Sequence, residues 1–139
     1  MIMNDKNILA IDYGTKRIGF AICYQQTSFS IPYITLENND SVFIKIKKIV
    51  DDEFIDLIVL GFPKTINNYV SERHQLINAF LKDLKDNIGI EIILVDESYS
   101  SVESVSLQKE FNIKSKSIKK TKDQNSATII LDRYLNNFR

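Results

Sequence analysis

Three acidic residues stand at points where predicted secondary-structure elements end or begin. Asp12 closes the apolar run ILAID, Glu97 follows the run IEIILVD, and Asp123 lies in TKDQ before a periodic apolar stretch. Carboxylates brought together at neutral pH repel one another, so at least one takes up a proton unless a cation is bound. Carboxylate oxygens suit Mg²⁺ or Mn²⁺, and a pair of such ions can promote phosphodiester cleavage. Each acid alone is ordinary in a turn, loop or helix start, and only their joint placement predicts a metal site.

The elements that must position these acids begin with an antiparallel meander. Residues 7–12, 17–24 and 29–36 are apolar runs rich in branched side chains, and a short Gly-containing turn joins the first two. Pro32 suits an edge strand, because proline cannot donate a ladder hydrogen bond. The three runs therefore predict a three-stranded meander that begins with a hairpin.

The chain then alternates between helical and strand patterns. Apolar residues at helical spacing predict helices over 41–53 and from Ser71 to about Asn87, the second closed by Gly89. The nearly continuous apolar runs at 56–61 and 90–95 predict strands that are buried on both faces. These segments form two crossover units, which normally make their strands parallel.

Two capping boxes predict a pair of helices at the end of the chain. The first runs from Ser100 to Glu103, and the second from Thr121 to Gln124, which makes Asp123 a first-turn residue. The order β-β-β-α-β-α-β-α-α indicates an α/β fold with a five-stranded mixed sheet and helices on both faces. In this sheet Asp12 and Glu97 emerge at the same carboxyl edge, about 10 Å apart if one strand lies between theirs.

Composition limits the class of protein. The 139 residues suit a single domain spanning 1–139, and 44% hydrophobic residues suffice for one core. Eighteen basic and 18 acidic residues leave no net charge, so nucleic-acid binding must come from a local patch. The single Cys23 cannot form an internal disulfide and is expected to be a small buried residue. Charges near the N-terminus argue against a signal peptide, and we expect a cytoplasmic protein without a membrane partner.

Two basic segments could bind a nucleic-acid backbone. The first is the turn after Asp12, whose candidate phosphate-binding residues are Gly14, Thr15, Lys16 and Arg17. The second runs from Lys109 to Lys122 and holds six lysines and a single acid; its candidates are Lys116, Lys119, Lys120 and Lys122. Such charges are also common on solvated surfaces. Arg73 could touch a phosphate, whereas a structural role is expected for His74, the only histidine.

Four motifs, in order, resemble those of the YqgF/RuvX family. DYGTKRIG at 12–19 resembles the opening motif, IVLGFP at 58–63 the strand that ends in Gly-Leu-Pro, and VDESYSSVES at 95–104 the Asp-Glu-Arg block. KDQNSATIIL at 122–131 is similar to the closing Asp-x-x-Ala-Ala helix. The resemblance implies a ribonuclease H-like fold with the first strand at the centre. It also places the acidic site of the family on Asp12, Glu97 and Asp123.

Members of that family are described as nucleases that process the 5′ end of precursor 16S rRNA, and also as Holliday junction resolvases. The resemblance therefore implies a Mg²⁺- or Mn²⁺-dependent nuclease of structured RNA or branched DNA. We expect this nuclease to be a monomer or weak homodimer. One departure is Ser98, where the family has an arginine that could steady a phosphate or a neighbouring acid.

Two other classes of protein also fit parts of the sequence. An Asp-x-Gly hairpin also opens actin-like and sugar-kinase folds, which bind ATP, but these need a second phosphate hairpin and a longer chain. A catalytically weak nucleic-acid binder that keeps the fold is the other alternative, and metal-dependent turnover would separate it from a nuclease.

Overall fold

A single mixed β-sheet forms the centre of the structure. The structure is a computed structural model that describes residues 5–63, 71–96 and 115–138, with the last helix's side chains described over 126–137. The strands are β1 (Ile8–Asp12), β2 (Arg17–Cys23), β3 (Ile31–Glu37), β4 (Leu57–Phe62) and β5 (Glu91–Asp96). Their order is β3-β2-β1-β4-β5, with β1, β4 and β5 parallel and the other neighbouring pairs antiparallel. The predicted five-stranded mixed sheet is confirmed, and β1 lies at its centre.

Helices cover both faces of this sheet, as predicted. They are α1 (Val42–Asp52), α2 (Glu72–Asn87) and α3 (Ser115–Phe138). Helices α1 and α2 pack on one face, against alternate strand residues that include Leu9 and Ile11. Helix α3 packs on the other face, against residues that include Ile8 and Ala10. Because β1 is covered on both faces, its apolar residues show no polar alternation.

Small residues line the face that receives α3. Ala10, Ala21 and Cys23 are fully buried there, beside Ala127 of the helix. The expectation that Cys23 is a small buried residue is confirmed.

One of the two edge strands confirms a prediction from the sequence, and the other contradicts one. Pro32 lies in β3, which is an edge strand as expected, opposite an irregularity of β2 between Phe20 and Ala21. The prediction that the run at 90–95 is buried on both faces is wrong. β5 is the other edge strand, only Val95 in it is buried, and Leu94 is 44% exposed. An apolar run alone does not reveal whether a strand has neighbours on both sides.

Two predictions of helix ends are also wrong. Helix α2 ends at a hydrogen bond from the Ile88 amide to the Leu84 carbonyl, and Gly89 does not adopt the left-handed conformation of a glycine cap. Helix α3 begins at Ser115, so Thr121 is not its cap and Asp123 lies inside the helix. No proline or glycine interrupts 115–122, so the helix continues through this potential cap. The helix predicted to start at Ser100 lies outside the described residues.

The described helices do not resemble membrane spans. None of those in the ranges given above combines the length and the apolar character that a bilayer crossing requires.

Candidate active site

Asp12 is the last residue of the central strand. Its side chain is only 12% exposed. Ile11 is aligned with Leu60 in β4, and the last residue of β4, Phe62, is aligned with Asp96 at the end of β5. The three parallel strands therefore end at one edge, as the sequence predicted, and this is the edge where open α/β sheets place their sites.

The turn after Asp12 is fixed by its own sequence. Tyr13 is buried, and its ring stacks on Phe80 of α2 with 4.9 Å between the ring centroids. Gly14 lies so close to the following strand that a Cβ built on it would be 2.3 Å from the Arg17 carbonyl oxygen. A residue with a side chain could occupy this position only if the turn shifted. The glycine thus allows the sharp return of the chain beside the acid.

A residue beyond β3 also holds this turn. The Asn38 side-chain amide donates to the Gly14 carbonyl at 2.9 Å, and the Asn38 backbone amide donates to the Lys16 carbonyl at 2.9 Å. Sequence reasoning missed Asn38. Its position could have been predicted, because β3 runs antiparallel to β2 and must therefore end beside the turn that precedes β2.

The predicted phosphate-binding residues of the turn are accessible. Thr15, Lys16 and Arg17 are exposed, and Gly14 is partly exposed. Two exposed cations therefore lie within a few residues of this largely buried carboxylate along the chain, which suits a site that receives an anionic chain.

Arg73 brings a further cation to Asp12. One terminal nitrogen of its guanidinium, Nη2, donates to the Tyr13 carbonyl at 3.0 Å and lies 3.9 Å from Asp12 Oδ1. The distance to Asp12 Oδ1 is longer than a hydrogen bond, so the attraction between these two atoms is mainly Coulombic. The sequence had suggested Arg73 only as a phosphate contact, and the structure adds its pairing with Asp12.

The first turn of α2 fixes the backbone of Arg73. Ser71 caps the helix by accepting from the His74 amide at 3.3 Å, and the Ser71 amide donates to His74 Nδ1 at 3.0 Å. The His74 side chain is buried and meets Phe62, the last residue of β4, with its ring edge-on at 5.6 Å. The structural role expected for His74 is thus observed, and it ties the start of α2 to the strand beside β1.

The structure describes the other predicted site residues only in part. Glu97 lies outside the described residues. Asp123 and the four candidate lysines lie in the first half of α3, where the backbone alone is described; these lysines are Lys116, Lys119, Lys120 and Lys122. Within the described ranges, no three potential metal-ligating side chains form a group. At the neighbouring strand end, Arg133 of α3 donates to the Asp96 carbonyl at 2.9 Å.

Comparison with protein families identifies the chain. A family model described as "RuvX: Holliday junction resolvase" matches residues 6–137. The chain belongs to the RuvX family. The resemblance recognised in the four sequence motifs is therefore confirmed over nearly the whole chain.

Curated relatives in the RuvX family bear a nuclease name. The chain is 50% identical over 136 residues to a "Putative pre-16S rRNA nuclease" of Malacoplasma penetrans, covering 96% of this chain and 95% of the relative. A protein of the same name from Mycoplasma genitalium is 34% identical over 140 residues, covering 96% and 99%. The prediction of an enzyme of the nuclease class, a hydrolase of phosphodiester bonds, is confirmed at this level.

Solved structures show the same fold. A fowlpox virus resolvase in complex with substrate Holliday junction DNA matches with a TM-score of 0.59 and 17% identity, covering 94% of this chain and 97% of the resolvase. Thermus thermophilus RuvC in complex with a Holliday junction substrate matches with a TM-score of 0.52 and 8% identity, covering 94% and 95%. The fold is that of the ribonuclease H-like resolvases, as the motifs implied.

Proposed function

We propose that this RuvX-family chain is a divalent-metal-dependent endonuclease that processes the 5′ end of precursor 16S rRNA. The observation that carries the proposal is the position of Asp12, a largely buried carboxylate at the end of the central strand, with the exposed Arg73 guanidinium 3.9 Å away. The names of the relatives support the choice of RNA substrate. The proposed unit is one nuclease domain over residues 1–139, and its cytoplasmic location stays a prediction.

The proposed metal ligands are Asp12, Glu97 and Asp123. Asp12 fits this role, because its carboxylate is a hard oxygen donor of the kind that Mg²⁺ and Mn²⁺ prefer. The bound ion would supply charge neutralisation and a more acidic water molecule. Asp12 would hold its place through the hydrogen-bonded strand behind it, whose residues Ile8–Ile11 are almost fully buried.

The remaining proposed residues bind the substrate. Lys16 and Arg17 would contact backbone phosphates beside the acid, with Gly14 and Thr15 lining the approach. The lysines of the first half of α3, at 116, 119, 120 and 122, would follow the nucleic acid further from the cut. These contacts are independent of sequence and screened by salt.

Cleavage of Holliday junctions is the second candidate activity. It is favoured by the family description and by two structural neighbours that were solved with junction DNA. A resolvase must present two active sites to one symmetric substrate. A homodimer that forms on the junction would therefore support this candidate, and a strict monomer would count against it.

The test compares both substrates under the same conditions. Purified protein is incubated with fragments that contain the 5′ leader of precursor 16S rRNA and with four-way DNA junctions, in Mg²⁺, in Mn²⁺ and in EDTA. We expect cleavage of the rRNA fragment in either metal and none in EDTA. Preferred cleavage of the junction would select the second candidate. Binding without cleavage of either substrate would indicate a catalytically weak binder and contradict the nuclease proposal.

A matched pair of variants tests the site itself. Asp12→Asn removes the anionic ligand and should abolish cleavage while the protein stays folded by circular dichroism. Asp86→Asn makes the same chemical change at an exposed position of α2, near the end of the helix away from Arg73. It should leave cleavage unchanged. Equal activity of the two variants would show that the site is elsewhere.

A further inference from the structure

Arg73 stands out because its guanidinium is placed beside the proposed site and is partly open to solvent. Its Nη2 donates to the neutral carbonyl of Tyr13 at 3.0 Å and lies 3.9 Å from Asp12 Oδ1. The Arg73 side chain is 44% exposed, and that of Asp12 is 12% exposed. An accessible cation therefore lies immediately next to a carboxylate that is mostly covered.

The backbone around Arg73 holds this geometry. The reciprocal hydrogen bonds of Ser71 and His74 fix the first turn of α2, and His74 packs on Phe62 at the end of β4. Arg73 is the second residue of the helix, inside this fixed turn. The contact with β4, the strand that pairs with β1, positions the start of α2 and with it the backbone of Arg73. The Tyr13 carbonyl positions the other end of the side chain by accepting a hydrogen bond from the guanidinium.

A cation at this position would favour the approach of a phosphate to Asp12. Two anions repel each other at this range, and a positive group between them offsets the repulsion. A guanidinium carries five N–H donors in a planar fork, so one arginine can donate to more than one acceptor. The fork matches two oxygens of a phosphate, which an ammonium group does not.

We propose that Arg73 is a phosphate-binding residue of the active site, which donates to a non-bridging oxygen of the substrate phosphodiester nearest Asp12. The proposal rests on the proposed nuclease function and names a contact that the family motifs quoted above do not include. Arg73 supplies the site with a guanidinium from the start of α2.

The first experiment measures binding in EDTA, where the proposed enzyme does not cut. Fluorescence anisotropy is recorded for the rRNA leader fragment and the four-way junction over a range of salt concentrations. Arg73→Met should reduce the slope of log affinity against log salt by about 0.7 to 0.9, the value of one phosphate contact. Lys48→Met removes one charge from an exposed position of α1 and should leave the slope unchanged. Arg73→Lys should restore the slope, because it restores the charge.

A second experiment locates the phosphate. Single methylphosphonate linkages, which are uncharged, are moved along the better-binding substrate, and the loss of affinity is compared between wild type and Arg73→Met. At one linkage the wild type should lose severalfold more affinity than the variant, which has already lost the contact. Equal losses at every linkage, or an unchanged salt slope in Arg73→Met, would overturn the proposal. Failure of the wild type to bind either substrate would overturn it too.

Turnover and stability complete the test. In Mg²⁺ we expect Arg73→Met to lower kcat by about 100-fold, the usual cost of one well-placed donor, and Arg73→Lys to recover only part of it. A purely structural role would instead lower Tm and leave the methylphosphonate profile unchanged, which would contradict the proposal. If the wild type binds but cuts neither substrate, the proposed nuclease function fails, while the comparisons in EDTA still decide the phosphate contact.

Discussion

The side chain of Asn38 donates a 2.9 Å hydrogen bond to the carbonyl of Gly14, across 24 residues of sequence. The segment after the edge strand β3 thereby holds the turn that follows Asp12. The geometry of the candidate site thus depends on a residue that belongs to neither strand of the hairpin.

Replacing Asn38 should loosen this turn. Asn38→Ala and Asn38→Asp both remove the donor and leave the partly buried Gly14 carbonyl without it, which should lower the free energy of unfolding by about 1 to 3 kcal/mol. Urea denaturation measures this loss. A stability equal to that of the wild type in both variants would show that water replaces the bond at no cost.

The two described glycines at loop positions should respond oppositely to alanine. Gly14→Ala places a Cβ at 2.3 Å from the Arg17 carbonyl oxygen, so we expect a loss of about 1 to 3 kcal/mol, as for overpacking. Gly89→Ala meets nothing within 4 Å and involves no positive φ. It should be neutral or stabilise by about 0.4 to 1 kcal/mol, because it restricts the unfolded chain. Chemical denaturation of the pair checks both signs, and a stable Gly14→Ala protein would contradict the steric argument.

The caps of α1 and α2 provide another matched pair. Ser71 accepts a hydrogen bond from the first turn of α2, whereas Ser41, at the start of α1, makes no side-chain cap. Ser71→Ala should therefore cost about 1 kcal/mol, and Ser41→Ala no more than about 0.5 kcal/mol. Since Arg73 lies in the turn that Ser71 caps, Ser71→Ala should also slow cleavage more than Ser41→Ala does. Equal effects of the two changes on stability would contradict the assignment of the cap.

Tyr33 should make the protein sensitive to high pH. Burial, followed by the hydrogen bond to Glu53 and its charge, raises the pKa of Tyr33 from 10.0 to about 12. The folded state thus holds this proton more tightly than the unfolded state does. The resulting stabilisation is complete below the unfolded pKa of 10 and disappears as the pH rises through about 12.

Urea unfolding of wild type and Tyr33→Phe at a series of pH values measures this effect. The difference in stability between the two proteins should shrink over that interval. The comparison cancels the titration of lysines, which both proteins share. A difference that stays constant with pH would show that Tyr33 titrates normally.

The lysines in the first half of α3 should contribute to nucleic-acid binding as a group. Replacing Lys116, Lys119 and Lys120 by glutamine should weaken binding of the rRNA fragment and reduce the salt slope by up to about 0.7 to 0.9 per lysine in contact. The control replaces Lys45, Lys47 and Lys48, which are exposed on α1. An equal slope for both triple variants would mean that the α3 lysines are merely solvated.

The sequence alone determined most of the local structure. Apolar runs predicted all five strands, and helical periodicity predicted the helices α1 and α2, to within a few residues. A side-chain period of this kind follows directly from backbone geometry. The short Gly-containing turn marked the hairpin, and the crossover rule placed β1, β4 and β5 in parallel. These patterns suffice to select Asp12 as a site candidate, because it ends the first of the parallel strands.

Only the tertiary structure decided which distant groups meet. Arg73 and Tyr13 are 60 positions apart, and no local pattern encodes their contact or the nearby charge of Asp12. The edge position of β5 was not predicted, because an apolar run does not show how many strands lie next to it. The start of α3 at Ser115 was not predicted either, because a helix can continue through a sequence that resembles a cap. Periods and caps are properties of neighbouring residues, whereas the charges around a site depend on how whole elements pack together.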